Sequence, residues 1–292
     1  MTVLGAVYRP QLPPERLRGV ARAADEAGLE ELWLWEDCFF ESGIAAAAAT
    51  LAWTDRLRVG VGLLPVPLRN VALAAMETAT LHRLFPDRVV LGVGHGVQEW
   101  MGQAGARVDS PMTLLREYLG ALRALLRAER VSTDGRYVQL DGVALAWPPP
   151  VPPAVLAGAT GPRSQRLAGE AADGTILVAG TRPDGVRRAR ELIEEGRAAG
   201  GRTDRHHVVV FMHAATGPDG AARLRGELER EGDYPGTPDI GAAGNAEDVA
   251  ATVRRLAEAG ADAVILQPTA DEPDPEGFVR FAAEQVRPLV PS

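Results

Sequence analysis

The chain has 292 residues, enough for one large barrel domain or two average domains, and its formal net charge is −8 at pH 7. All 31 basic residues are arginine and are interspersed with acidic ones, which argues against nucleic-acid binding and excludes a lysine Schiff base. One cysteine, Cys38, excludes an internal disulfide and a cysteine metal cluster. Without a signal-peptide pattern or a membrane-length apolar run, we expect a cytoplasmic protein that has no membrane contact.

Short β-branched runs alternate with longer amphipathic segments, and this pattern predicts parallel strands joined by helices. The predicted strands are Val3–Val7, Glu31–Trp35, Leu57–Leu64, Val89–Gly94, Ala154–Ala157, Thr175–Val178, Val208–His213 and Ala263–Gln267. The predicted helices are Pro14–Ala27, Ile44–Trp53, Val71–Leu84, Pro111–Arg127, Pro162–Ala171, Pro183–Ala199, Ala246–Ala259 and Gly277–Val286. Eight strand–helix pairs predict an α/β fold, a (β/α)8 TIM barrel that occupies residues 1–292 as a single domain, with a doubly wound open sheet as the alternative.

Two segments interrupt the repeat. Arg130–Ser132 and Tyr137–Leu140 flank Asp134-Gly135, which predicts a β-hairpin excursion after the fourth unit. A long insert, Thr216–Gly244, follows the seventh strand, and Ala221–Glu231 within it has a helical pattern. The insert is either a lid over the substrate or a passive surface excursion. Its candidate hinges are Gly226, Gly232 and Gly236.

The active site of such a barrel lies at the carboxyl ends of its strands. At the fifth strand, the segment Gly158, Ala159, Thr160 and Gly161 precedes a helix that begins at Pro162, so free backbone N–H groups could bind an anion there. The same glycines would equally suit a plain tight turn. Thr181 and Arg182, after the sixth strand, are candidates to complete a phosphate cradle.

Three side chains at other strand ends are candidates for proton handling: Asp37, His95 and Glu99. His95 could instead only order its loop, and Asp37 could instead cap the next helix. Cys38 is a candidate for the pocket wall, although a lone cysteine is more often a small buried hydrophobic residue.

Other residue patterns narrow the chemistry. Trp33 and Trp35 are expected in barrel packing, whereas Trp100 is expected to line a pocket. The sequence has no HExxH motif and no histidine pair after the first strand, so no metal site is expected. It also lacks the GxSxG elbow of serine hydrolases.

Four segments, in this order, resemble the luciferase-like monooxygenase superfamily, which includes oxidoreductases that use the deazaflavin coenzyme F420. They are ARAADEAGLEELWLWED, GVGLLPVPLRN leading into ETATLHRLFPDRVVLGVGHG, EYLGALRALL, and AGATGPRSQRLAGEAADG. The resemblance covers about Leu4 to Val178 and, more weakly, Ala246 to Pro268. It implies a flavin-type oxidoreductase that transfers a hydride between coenzyme F420 and a small organic substrate.

The resemblance also implies a set of cofactor-binding residues. Gly62 and Leu63 match a bulge with a non-proline cis peptide bond behind the ring, and Gly94 to Gly96 match the strand end beside it. Gly158, Ala159, Thr160 and Gly161, with Thr181 and Arg182 close to the family's second phosphate-side position, match the site of the cofactor tail. Family members are often homodimers, so a homodimer is expected as well.

Three departures make a sugar-phosphate dehydrogenase doubtful. Cys38 stands where those family members have a catalytic histidine, Val97 where they have a catalytic glutamate, and Thr181 where they have a phosphate-side lysine. Three alternatives therefore stay open: an FMN-dependent monooxygenase that uses oxygen, a cofactor-binding protein without turnover, and an unrelated barrel enzyme.

Overall fold

Eight parallel strands form a closed barrel in the computed structural model, which describes residues 2–232 and 239–291. The barrel strands are β1 (Val3–Val7), β2 (Glu31–Leu34), β3 (Arg58–Pro65), β4 (Val89–Gly94), β7 (Val155–Gly158), β8 (Gly174–Leu177), β9 (His207–Ala215) and β11 (Ala263–Gln267). The pairing of β8 with β9 and of β11 with β1 closes the ring. The predicted barrel is therefore confirmed, and the open sheet is excluded.

Helices cover the outside of this ring. They are α1 (Leu17–Ala27), α2 (Gly43–Trp53), α3 (Val71–Leu84), α4 (Gln98–Gln103), α5 (Pro111–Leu126), α6 (Pro162–Ala171), α7 (Pro183–Ala199), α8 (Gly220–Glu231), α9 (Ala246–Glu258) and α10 (Pro275–Arg280), the last of which continues as a π-helical turn, Phe281–Val286. Local capping defines several of the ends. Asn70 accepts a hydrogen bond from the amide of Ala72 at the start of α3, and Gly28 ends α1 with φ of 79°.

The barrel interior is filled by large apolar side chains. Trp33 is fully buried, and its ring meets the edge of Phe211 at a centroid distance of 5.6 Å. A Cβ atom at Gly60 would lie 2.3 Å from the Trp33 ring, so this strand needs a glycine beside the indole. The prediction for Trp33 is confirmed. Trp35 lies one pleat nearer the carboxyl end and contacts Phe211 at 5.8 Å.

The hairpin after the fourth unit consists of β5 (Val131–Asp134) and β6 (Gln139–Val143). Asp134 pairs with Gln139, and the amide of Gly135 donates to the carbonyl of Val138. The predicted hairpin is therefore present, but four residues lie between the paired strands, so the strand boundaries differ from those predicted. The short helix α4 was not predicted, because six residues span fewer than two turns and show no repeating helical pattern.

The described part of the insert is docked on the barrel. Leu224 and Leu228 of α8 pack with Ala215 and Ile240. A short strand, β10 (Gly241–Ala243), pairs in parallel with the end of β9. The candidate hinge Gly236 lies outside the described residues. Within residues 2–232 and 239–291, no helix is long and apolar enough to cross a membrane.

Candidate active site

A cavity of about 690 Å³ lies at the carboxyl ends of the barrel strands. The predicted site residues in its wall are Asp37, Gly62, Leu63, His95, Gly96, Gly158, Ala159 and Thr160. The other predicted residues do not contribute to the described wall: Cys38, Gly94, Glu99, Gly161, Thr181 and Arg182. The volume is typical of a small-molecule or cofactor site.

The floor of the cavity is formed by Gly62 and Leu63, which are joined by a cis peptide bond. The pairing of β3 with β4 shifts register between Val61 and Leu64, so the chain bulges at this point. A Cβ at Gly94 would lie 2.6 Å from the Leu63 side chain, and one at Gly158 would lie 2.2 Å from it. These two glycines therefore make room for Leu63, which in turn presents its side chain to the cavity.

The amino-terminal end of α6 offers fewer free donors than the sequence suggests. The amide of Ala159 donates to the carbonyl of Ile176, and the amide of Gly161 donates to the hydroxyl of Ser164. Pro162 has no N–H group. The amides of Arg163 and Ser164, in the first turn of the helix, remain as the donors that have no intrahelical acceptor.

Thr181 and Arg182 are engaged elsewhere. The hydroxyl of Thr181 donates to the carbonyl of Val178 at 2.7 Å, and Arg182 forms an exposed ion pair with Asp184 at 2.9 Å. Neither side chain reaches the described cavity wall. The structure therefore does not place these two residues with the other candidates for a phosphate cradle.

His95 and Glu99 are separated by the start of α4. His95 lines the cavity, and its Nε2 lies 3.3 Å from the sulfur of Met112. Burial lowers the pKa of His95, so its imidazole is neutral at pH 7. Glu99 is exposed on α4 and faces away from the cavity wall, whereas Trp100, the next residue, lines it as expected.

Asp37 lines the cavity and does not cap α2. That role belongs to Ser42, whose hydroxyl accepts from Ala45, and to Glu36, which accepts from the amide of Gly43. Burial raises the pKa of Asp37, although the nearby Arg9 opposes this. Burial thus favours the protonated form of the Asp37 carboxyl group.

Cys38 follows Asp37 and is joined to Phe39 by a second cis peptide bond. Burial raises the pKa of the Cys38 thiol, and the charges of Asp37 and Glu36 raise it further. The thiol is therefore protonated at neutral pH, which does not favour a nucleophilic role.

Four polar side chains of the wall lie outside the site residues predicted from sequence: Trp35, Glu36, Glu231 and Gln267. Trp35 packs against the barrel core as expected, but it also lies in the cavity wall, and its indole Nε1 is buried with no hydrogen-bond partner among the described residues. Gln267 ends the eighth strand, so its position was a usable signal. Glu231 belongs to the insert, and no local pattern brings it to this site.

The comparisons with known proteins agree with this geometry. Residues 2–230 match the family model described as luciferase-like monooxygenase. The 5,10-methylenetetrahydromethanopterin reductase of Methanolobus tindarius is 28% identical over 211 residues, which are 72% of this chain and 64% of the relative. The F420-dependent glucose-6-phosphate dehydrogenase of Nakamurella multipartita is 29% identical over 209 residues, 63% of this chain and 62% of the relative.

The matched regions thus cover less than two thirds of the length of these two relatives. Among solved structures, an F420-dependent secondary alcohol dehydrogenase in complex with an F420–acetone adduct superposes with a TM-score of 0.83. The sequences are 21% identical, and the match covers 100% of this chain and 99% of that one. The family match extends over more than half of the chain, and the chain therefore belongs to the luciferase-like monooxygenase family.

Proposed function

We propose that the protein is an oxidoreductase that transfers a hydride between coenzyme F420 and a small organic substrate. The observation that carries this proposal is the 690 Å³ cavity whose floor is the bulge at Gly62 and Leu63. The proposal is supported by the family match and by the names of relatives that use F420. We further propose that residues 1–292 act as one domain.

The described residues fit a flat cofactor with an anionic tail. Leu63, Gly96 and Gly158 offer a wall of low relief on which a tricyclic ring can lie. The amides of Arg163 and Ser164 have no acceptor within α6; they lie in its first turn and would bind a phosphate group there. When bound, a deazaflavin supplies the carbon that accepts or donates a hydride, and the barrel orients it and excludes water.

His95 and Asp37 are the proposed proton-handling groups among the residues predicted from sequence. Both line the cavity. His95 is neutral at pH 7, and the raised pKa of Asp37 suits a group that donates a proton. The proposal does not depend on Glu99, because that side chain is exposed on α4.

The test is a side-by-side titration of the purified protein with coenzyme F420 and with FMN, followed by fluorescence quenching. We expect tighter binding of F420 and reduction of the bound cofactor by an organic hydride donor. Tighter FMN binding with oxygen consumption would favour a monooxygenase. Tight binding with no hydride transfer from any donor would favour a cofactor-binding protein, and no binding of either would refute the proposal.

We also propose that the protein acts on its small-molecule substrate as a cytoplasmic homodimer. The outer face of α3 exposes Leu73, Met76 and Leu84, each at least 47% accessible. Burying such side chains against a second copy removes apolar surface from water. Size-exclusion chromatography with light scattering would test this, and a Met76→Glu substitution should shift a dimer toward the monomer.

A further inference from the structure

The cavity wall is acidic on the side formed by β2, β9, β11 and α8. Among the described residues of the wall, the ionisable side chains are Glu36, Asp37, His95 and Glu231, and none is an arginine. Glu36 is bound by the guanidinium of Arg69 at 2.6 Å, which leaves Asp37 and Glu231. An anionic substrate would meet two carboxyl groups here without an opposite charge in the wall.

Helix α8 is fixed over this side of the barrel by a buried ion pair. The Nη2 of Arg9, just after β1, lies 2.8 Å from Oε1 of Glu227, and both residues are at most 5% exposed. The amide of Ala270, after β11, also donates to Glu227. Glu231 lies four residues further along the same helix, on the same face, so this anchor places its carboxylate at the cavity.

Behind Glu231 lies His213 of β9, which is 1% exposed. Its Nε2 is 3.1 Å from Oε2 of Glu231, and its Nδ1 is 3.4 Å from the amide nitrogen of Gln267. Because Gln267 presents a donor to Nδ1, the tautomer with the proton on Nε2 suits both contacts. The imidazole therefore lies within ion-pair distance of the carboxylate, although Nε2 and Oε2 are not aligned for a hydrogen bond.

The groups around Glu231 keep it ionised. Burial works against ionisation, but the adjacent His213 imidazole, Arg9 after β1 and Arg230 on α8 together hold the pKa of Glu231 below its usual value. Asp37 shifts in the opposite direction. The surroundings thus shift the pKa values of two carboxyl groups of one cavity in opposite directions, as is common for an acid and a base that act together.

We propose that Glu231 is the base that accepts the hydroxyl proton of a neutral secondary alcohol, and that His213 is its positioning residue. The carbinol C–H bond breaks as its electron pair moves to the oxidised deazaflavin as a hydride. The O–H electron pair forms the carbonyl bond, and the proton passes to a carboxylate oxygen of Glu231. Reduction of a neutral ketone is the reverse. This inference rests on the proposed function.

The rest of the wall fits such a substrate. Trp100, Ile176, Val178 and Phe211 give the cavity an apolar lining in which the carbon body of an alcohol can be buried. Gln267 lies in the wall and contacts His213, so its amide can hold the substrate oxygen next to Glu231. A sugar phosphate would place its dianion beside Asp37 and Glu231.

The experiment uses the F420-loaded full chain with three variants: Glu231→Gln, Glu231→Asp and, as a matched control, Glu229→Gln. Glu229 is exposed on the same helix. With cyclohexanol as substrate, Glu231→Gln should lower kcat/KM about 10²- to 10⁴-fold, Glu231→Asp should lose less, and the control should match the wild type. The Kd of 2,2,2-trifluoroethanol, which resists hydride removal, is read from bound-cofactor fluorescence and should rise only in the Glu231 variants.

The role of His213 is tested by a His213→Asn variant. Removing the imidazole should move the acidic limb of the kcat/KM profile to higher pH, because Glu231 loses the neighbour that lowers its pKa. If the acidic limb of the kcat/KM profile stays at the same pH, His213 is not the positioning residue of Glu231.

The remaining outcomes separate this inference from the proposed function. If F420 does not bind the wild type, the proposed function fails. If F420 binds and alcohols react, but Glu231→Gln behaves like Glu229→Gln, only the assignment of Glu231 fails. Turnover of glucose 6-phosphate without turnover of neutral alcohols would overturn the substrate class while the oxidoreductase proposal stands.

Discussion

The packing of Leu63 against Gly158 controls the shape of the cavity floor. A methyl group added at Gly158 would lie 2.2 Å from Cδ2 of Leu63, about 1.2 Å closer than the 3.4 Å at which contact becomes ordinary. The β7 backbone is held between β4 and β8, so it cannot retreat by that distance. We therefore expect Gly158→Ala to push the Leu63 side chain into the cavity.

The cost follows from the physics of overpacking. Forcing an extra methyl group into a packed site costs about 1 to 3 kcal/mol. If the displaced Leu63 side chain occupies the part of the cavity that the cofactor ring would fill, the same free energy weakens cofactor binding. The Kd of the cofactor would then rise about 5- to 150-fold. Gly94→Ala should act in the same direction but more weakly, because its Cβ would be 2.6 Å from the same side chain.

The assay is a double-mutant cycle on cofactor Kd, measured by fluorescence quenching, with thermal unfolding of each variant. Leu63→Ala should relieve the Gly158→Ala defect, so the two substitutions should couple strongly. Gly120→Ala, on the open face of α5, is the control and should leave Kd unchanged. Unaltered F420 affinity in Gly158→Ala, or strictly additive effects, would refute this account of the floor.

Three further predictions concern buried groups. Burial lowers the pKa of His206 from 6.5 to about 4, so the folded state disfavours its charged form. The free energy of unfolding should therefore fall on the order of 3 kcal/mol as the pH drops from 6.5 to 4. In urea titrations, His206→Gln should make the free energy of unfolding less dependent on pH over this range. Glu227→Gln leaves Arg9 buried without its countercharge and should destabilise the fold by about 3 to 5 kcal/mol in the same titrations, unlike Glu229→Gln. His95→Gln should lower kcat about 10²- to 10⁴-fold without changing cofactor Kd; an unchanged kcat would mean that His95 only orders its loop.

Local patterns were sufficient for most of the fold. Helices α3, α6 and α7 and strands β1, β4 and β11 have the predicted bounds. A proline, glycine or asparagine marks an end of each of them except β1. The residues at the strand ends were also predictable, since parallel strands place their carboxyl ends on one rim. That is why Asp37, His95 and Gly158 could be selected before the cavity was known.

Local patterns were less informative about which donors remain free. The amide of Gly161 is used by Ser164, and the hydroxyl of Thr181 is used by Val178. Both hydrogen bonds depend on the backbone conformation of a turn, and residue type alone does not determine that conformation. Glu99 illustrates the same limit, because the short helix α4 turns it away from the cavity wall and brings Trp100 in.

The sequence by itself determined the eight strand–helix units, the rim that carries the site and the family resemblance. The tertiary structure alone decided which side chains share the cavity. Arg9 and Glu227 are 218 residues apart, yet their ion pair holds α8 and thereby Glu231 at the strand ends. Leu63 of β3 likewise packs against Gly158 of β7, although β4 lies between these two strands. Periodicity reports the environment of one element, whereas such contacts arise only when distant elements pack together.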